Sequence, residues 1–236
     1  MGKIIGIGET VMDIIFKDDQ PQQAVPGGST FNAIISLGRA GMPCAIVTEA
    51  GDDHVGDITC KYLMDNGVGT EYVTRRKGTQ SHISLAFLDD KNDAQYTFYK
   101  DHKSVAINST LPEVSGDDIV LFGSFFAINP VIRPQVRDML KKAHDSGATL
   151  YYDINFRASH IKDIPETLEN IRENMAMSSV VRGSLEDFGY LFGETDVDVL
   201  YEKHIRPYCE FFICTNGGEP TELRTPVVRR SFLRRR

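Results

Sequence analysis

The residues best suited to holding a polar ligand in this 236-residue chain lie in Pro26-Gly27-Gly28-Ser29-Thr30-Phe31-Asn32. Adjacent glycines let a backbone approach a bound molecule closely, Ser29 or Thr30 can cap a following helix, and that helix start presents N–H donors without intrahelical partners. Asn32 falls in the first turn and carries both a donor and an acceptor for a ligand hydroxyl. Taken alone, a Gly-Gly before a helix also reads as an ordinary tight turn. A second glycine pair, Gly6-Ile7-Gly8, invites comparison with a dinucleotide fingerprint. There the third glycine would fall at Val11, and a strand-like run over 12–16 follows in place of a helix, so the phosphate-binding device is lacking. Cys44, Cys60, Cys209 and Cys214 form no CxxC pair and the six histidines no HExxH, so buried free thiols are expected and a structural metal is not.

These residues need a scaffold, and the pattern supplies an α/β one. Apolar runs at 3–7, 44–50, 119–123, 149–154, 179–182 and 211–215 read as strands, separated by amphipathic stretches at 29–40, 55–66, 130–146, 165–174, 185–192 and 197–205 that read as helices. Such alternation predicts a parallel-rich sheet with helices on both faces. It is interrupted at 81–88 and 94–100, two strand-like runs flanking the polar turn Asp89-Asp90-Lys91-Asn92-Asp93. That hairpin, with the run at 12–16, predicts a small separate sheet, either a decorative edge or a lid that excludes water from a ligand. The formal charge of −7 and pI of about 5.4 argue against a nucleic-acid partner. No apolar run approaches the roughly 20 residues of a membrane span, and the N-terminus does not read as a signal peptide; the expectation is a cytoplasmic protein with a small-molecule ligand.

With its surroundings, the glycine pair becomes far more specific. Gly27-Gly28-x-x-x-Asn32, then Gly38 and Gly41, then Ala50-Gly51-Asp52-Asp53 and Gly56 resembles the first signature region of the PfkB, or ribokinase-like, carbohydrate kinases. Three further segments follow in the family's order. Gly6-x-Gly8-Glu9-x-x-x-Asp13 resembles the first strand and the acidic residue after it. Tyr152-Asp153-Ile154-Asn155-Phe156-Arg157 resembles the D-x-N-x-R element of the fructokinase-like branch, and Arg182-Gly183-Ser184-Leu185-Glu186-Asp187 its K-x-S-x-x-E segment, with Asp in place of the commoner Glu. Thr215-Asn216-Gly217-Gly218 is similar to the T-x-G loop, although Glu219 departs from the usual glycine. The resemblance implies a ribokinase-like α/β fold with a small β-sheet lid and ATP-dependent phosphorylation of a fructose-like sugar. It implies sugar contacts from Asp13, Gly27, Gly28, Asn32, Asn155 and Arg157, nucleotide contacts from Ser184, Asp187, Thr215, Gly217 and Gly218, an indirect Mg2+ role for Asp187, and a homodimer paired through the lid. Local readings stand beside these: Asp13 as a turn residue, Asp153 and Asn155 capping their loop, and Ser184 with Asp187 capping the helix at 185–192.

The family's catalytic base lies in a Gly-Ala-Gly-Asp segment, and residues 215–236 contain no aspartate. The expectation is an incomplete kinase domain over 1–223 and an irregular basic tail over 224–236, inactive by itself, the alternative being a sugar-binding or dimerising remnant.

Overall fold

A computed structural model describes residues 2–90, 94–100, 107–156 and 164–233. The chain divides into two compact units, Lys3–Pro112 and Glu113–Arg236 with Met1–Gly2.

The first unit runs β1 (Ile4–Ile7), β2 (Val11–Lys17), β3 (Gln20–Gly27), α1 (Ser29–Arg39), β4 (Cys44–Gly51), α2 (His54–Asp65), β5 (Val73–Arg76), β6 (Ile83–Leu88) and β7 (Ala94–Tyr99). β1 pairs with β4, and β4 with β5, all parallel. Every residue of β1 is buried although successive side chains point to opposite faces, so both faces of the strand are covered. Helix α1 packs on β1 and β4 through Phe31, Ile34 and Ile35, whose spacing places them on one face. The remaining strands form a separate sheet in the order β3-β2-β6-β7, the predicted small sheet with one strand more than expected. β3 escaped notice because Pro21, Pro26 and three glutamines disguise it; as an edge strand it tolerates both prolines. It joins β2 through Asp18 and Asp19, both at positive φ (52° and 56°), the backbone that a two-residue hairpin turn demands.

The signature residue Asp53 has a structural task. As the cap of α2 it accepts from the Gly56 N–H (2.8 Å), while also taking the Ser81 N–H and hydroxyl (2.7 Å each) ahead of β6. Burial pushes this carboxyl up, but the Ser81 and Gly56 hydrogen bonds and the nearby Arg75 together outweigh it and hold the group below the usual carboxylate range. Asp53→Ala is therefore expected to lower stability by about 1–3 kcal/mol. The depressed carboxyl contributes stability above pH 3.8 that is lost as pH falls through its folded value, so the gap between wild type and variant in urea melts should narrow in acid.

The second unit runs β8 (Ile119–Gly123), a 3-10 turn (Phe125–Ile128), α3 (Arg133–Asp145), β9 (Thr149–Asp153), α4 (Ile164–Met177), β10 (Val180–Ser184), α5 (Leu185–Phe192), α6 (Val197–Leu200) continuing as a π-helical turn (Tyr201–Ile205), β11 (Phe212–Thr215), β12 (Thr221–Arg224) and β13 (Arg229–Phe232). β8, β9, β10 and β11 are parallel neighbours in that order; β12 and β13 continue antiparallel. α3 and α4 pack on β9 and α5 on β10, over a core that includes Phe122, Tyr152, Val181, Phe188 and Phe212.

The segment expected to be an irregular tail is instead ordered. Arg224 ends β12, is 8% exposed and is paired with Asp198 (2.7 Å) and Glu222 (2.8 Å), while Arg229 on β13 reaches Asp198 (2.7 Å) and Glu202 (3.1 Å). A strand ladder needs backbone groups rather than apolar side chains, and three carboxylates compensate the arginines; residues 234–236 lie outside the described residues. No described helix is long and apolar enough to cross a membrane. Cys44, Cys209 and Cys214 are buried free thiols and Cys60 is half-buried.

Candidate functional site

In the first unit, four of the residues singled out by sequence come from three neighbouring elements. Asp13 lies mid-strand on β2, opposite Ser84 of β6, whose hydroxyl donates to its Oδ1. Gly27 ends β3, and a Cβ there would overlap Asp13 Oδ2, so the carboxylate lies directly against this glycine. Gly28 precedes α1 with φ 129° and ψ 150°, and a Cβ on it would meet the Glu9 carbonyl at 2.5 Å. Only glycine fits both the angle and the space. The helix that follows has no side-chain cap: neither Ser29 nor Thr30 fills the role expected of it, because Gly28 is the capping residue and Thr30 is buried. The first N–H groups of α1 therefore meet no side-chain acceptor among the described residues. Asn32 is exposed in that first turn; its backbone N–H bonds the Gly28 carbonyl (2.9 Å), and its side-chain amide has no hydrogen-bond partner among the described residues.

Asp13 is the electrostatic centre of this group. Desolvation pushes its carboxyl above the ordinary range, and the Ser84 hydroxyl only partly opposes that. A carboxylate in this state gains from further donors, and a polyol hydroxyl supplies one. Ser84, fully buried on a strand of a small sheet, was missed by sequence reasoning; a lone serine among the apolar residues of 83–88 was the available signal.

In the second unit the residues expected from sequence gather at the C-terminal ends of parallel strands, where open α/β sheets bind ligands. Asn155 follows β9 with φ 35°, and its Nδ2 donates to Ser124 Oγ (3.1 Å) beyond the end of β8. Asp153 is paired with Arg182, whose Nη1 lies 2.9 Å from both carboxylate oxygens, and Arg182 Nη2 continues to Thr215 Oγ1 (3.1 Å) at the end of β11. Burial pushes Asp153 upward against the pull of Arg182, while Asp153 outweighs desolvation to hold Arg182 charged. Mutual attraction thus works against the desolvation of both partners. Sequence reasoning gave no role to Arg182 or Ser124; Arg182 was legible as the basic residue opening the K-x-S-x-x-E-like segment. Arg157 lies outside the described residues.

Ser184 and Asp187 form a reciprocal capping box at the start of α5, with Ser184 Oγ accepting from the Asp187 N–H (3.0 Å) and Asp187 Oδ2 from the Ser184 N–H (2.9 Å). That local role occupies one Asp187 oxygen. No group of three or more His, Cys, Asp or Glu positioned for a metal occurs among the described residues, so the donor set does not make a metal cage of its own. Gly217 and Gly218 sit in an exposed turn closed by the Glu219 N–H on the Asn216 carbonyl (2.9 Å).

Comparison with known proteins agrees with this layout. The family model described as pfkB family carbohydrate kinase matches residues 1–226. A fructokinase of Rhizobium leguminosarum bv. trifolii is 26% identical over 224 residues, covering 92% of this chain and 68% of the relative. Probable fructokinase-4 of Arabidopsis thaliana is 24% identical over 206 residues, 83% of this chain and 63% of the relative. The chain thus spans about two thirds of the length of these relatives. Among solved structures, aminoimidazole riboside kinase from Salmonella enterica, complexed with aminoimidazole riboside and an ATP analog, superposes with TM-score 0.84 at 20% identity, covering 100% of this chain and 77% of the other. Fructokinase with bound ATP from Xylella fastidiosa gives 0.83 at 18% identity, covering 99% and 74%. These likenesses establish the ribokinase-like fold, a mostly parallel sheet with helices and a separate small sheet. With its fructokinase-like signatures and the match over residues 1–226, the chain belongs to the pfkB family of carbohydrate kinases.

Proposed function

We propose that these residues serve ATP-dependent phosphorylation of a fructose-like sugar. Asp13, the backbone at Gly27 and Gly28, and Asn32 take sugar hydroxyls, with Asn155 and Arg157 contributing from the D-x-N-x-R element. Thr215 and the turn at Gly217-Gly218 face the nucleotide, and Ser184 with Asp187 shapes that region. Mg2+ bound together with ATP would neutralise phosphate charge, and Asp187 would act on it only through water. The family match is the observation that carries this reading, and the packing of Asp13 against Gly27 supports it. Pairing between subunits through the small sheet is part of the proposal; Tyr96, Phe98 and Tyr99 on its edge strand β7 are exposed. So is a cytoplasmic setting.

Since residues 215–236 hold no aspartate, a polypeptide of these 236 residues alone is proposed to bind without transferring phosphate. Phosphoryl transfer is catalysed almost wholly by positioning and by electrostatic stabilisation of the transition state, and one missing anion-hole donor alone costs a factor on the order of 10²–10³. Calorimetric titration of that polypeptide with fructose, then with ATP and Mg2+, should show sugar binding and no sugar-dependent ADP release. Turnover would overturn the binding-only reading. Failure to bind either ligand would overturn the site assignments.

A further inference from the structure

We propose that Ser124 and Asn155 together form a hydroxyl-recognising pair that contributes to sugar specificity. This rests on the sugar-kinase reading and adds Ser124, to which that reading gives no role. Ser124 has φ 55° and ψ −163°, a region nearly reserved for glycine, and its partner Asn155 is also left-handed at φ 35°. The surroundings impose both conformations. The Ser124 N–H is held on the Asp153 carbonyl (3.0 Å), and the Ala127 N–H returns to the Ser124 carbonyl (3.2 Å). The Ala127 carbonyl is in turn fixed by Arg133 Nη1 (2.9 Å) and Asn174 Nδ2 (3.3 Å), from residues that are 7% and 0% exposed. On the other side, the Asn155 N–H bonds the Asp153 carboxylate, itself anchored by Arg182.

The outcome is a hydroxyl and an amide locked together, with Asn155 Nδ2 3.1 Å from Ser124 Oγ and that hydroxyl donating to the Asn155 carbonyl (3.3 Å). Among the described residues, Asn155 Oδ1, the second Nδ2 hydrogen and a lone pair on Ser124 Oγ meet no further partner and remain for a ligand. Two acceptors and a donor at this spacing suit neighbouring hydroxyls on a polyol. The pair also sits just beyond the C-terminal ends of adjacent parallel strands, β8 and β9. Glycine would adopt these angles without strain but would leave Asn155 Nδ2 without the hydroxyl that holds it, so the strained serine is what fixes the Asn155 amide in place.

The test compares wild type, Ser124→Gly and Ser124→Ala by calorimetry with D-fructose and D-ribose, alongside thermal melts. Both variants should lose about 3- to 10-fold in affinity for the sugar that wild type binds. Ser124→Gly should at the same time melt about 2 °C or more higher through relief of strain. Variants that bind sugar as tightly as wild type would overturn the pair while leaving the sugar-kinase reading intact. Loss in Ser124→Gly alone, with Ser124→Ala unaffected, would overturn the hydroxyl contact. Wild type binding neither sugar would overturn the pair and the sugar-kinase reading together.

Discussion

Asp13→Asn is expected to weaken sugar binding by a factor on the order of 10² and, at pH 7, to raise the melting temperature. A hydrogen bond to a charged group contributes about 1.5–3 kcal/mol, and a carboxylate positioned against Gly27 can accept more than one sugar hydroxyl, so the neutral amide forfeits most of the affinity. Stability moves the opposite way because burial raises this carboxyl above its unfolded value of 3.8. A raised acid contributes stability in full below pH 3.8, and that contribution is lost as pH rises through the folded value. At neutral pH the ionised Asp13 therefore opposes folding. Asparagine keeps an oxygen for the Ser84 hydroxyl without the desolvated charge. Melts of both proteins at pH 4 and pH 7, with fructose titrations at pH 7, check both halves: the variant's advantage should be confined to the higher pH. A variant less stable at pH 7, or one that binds fructose like wild type, would show that Asp13 is a structural residue of the small sheet.

The second large effect concerns Gly28→Ala, expected to cost more than about 3 kcal/mol of stability and to abolish sugar binding. Two penalties coincide there. A φ of 129° is strained for any L side chain, and the added methyl would stand 2.5 Å from the Glu9 carbonyl oxygen, a backbone atom that cannot swing aside. Relief requires the start of α1 to move, which displaces Asn32 and the uncapped N–H groups. Gly189→Ala is the control. It lies inside α5, a Cβ there meets nothing within 4 Å, and the change should add roughly 0.5–1 kcal/mol through helix propensity. Urea unfolding midpoints of the three proteins decide the matter, and a Gly28→Ala protein as stable as wild type would remove the geometric argument.

Legibility in the sequence followed the range of the forces involved. Strands such as β8 and helices such as α5 were readable to the residue, because a strand buried on both faces is a short continuous apolar run, while a buried helix face has a period of 3.6 and caps mark its ends. β3 and β13 were not, since an edge strand is held by backbone pairing and needs no apolar pattern to announce it. The same division runs through the site. Asp13, Gly27, Gly28 and Asn32 sit within twenty residues of sequence and carry a family signature. Ser84, Ser124 and Arg182 acquire their roles from partners 71, 31 and 29 residues away, through contacts that no local pattern records.

The amino-acid sequence by itself determined the family and the α/β alternation and supplied most of the candidate-site residues, because these rest on local spacing and composition. Only the tertiary structure decided that Asp53 and Asp187 serve helix ends, that Arg182 joins Asp153 to Thr215, and that Ser124 is held in a glycine-like backbone. Each of those outcomes depends on which distant groups burial and pairing bring within hydrogen-bond reach, and that is a property of the folded chain.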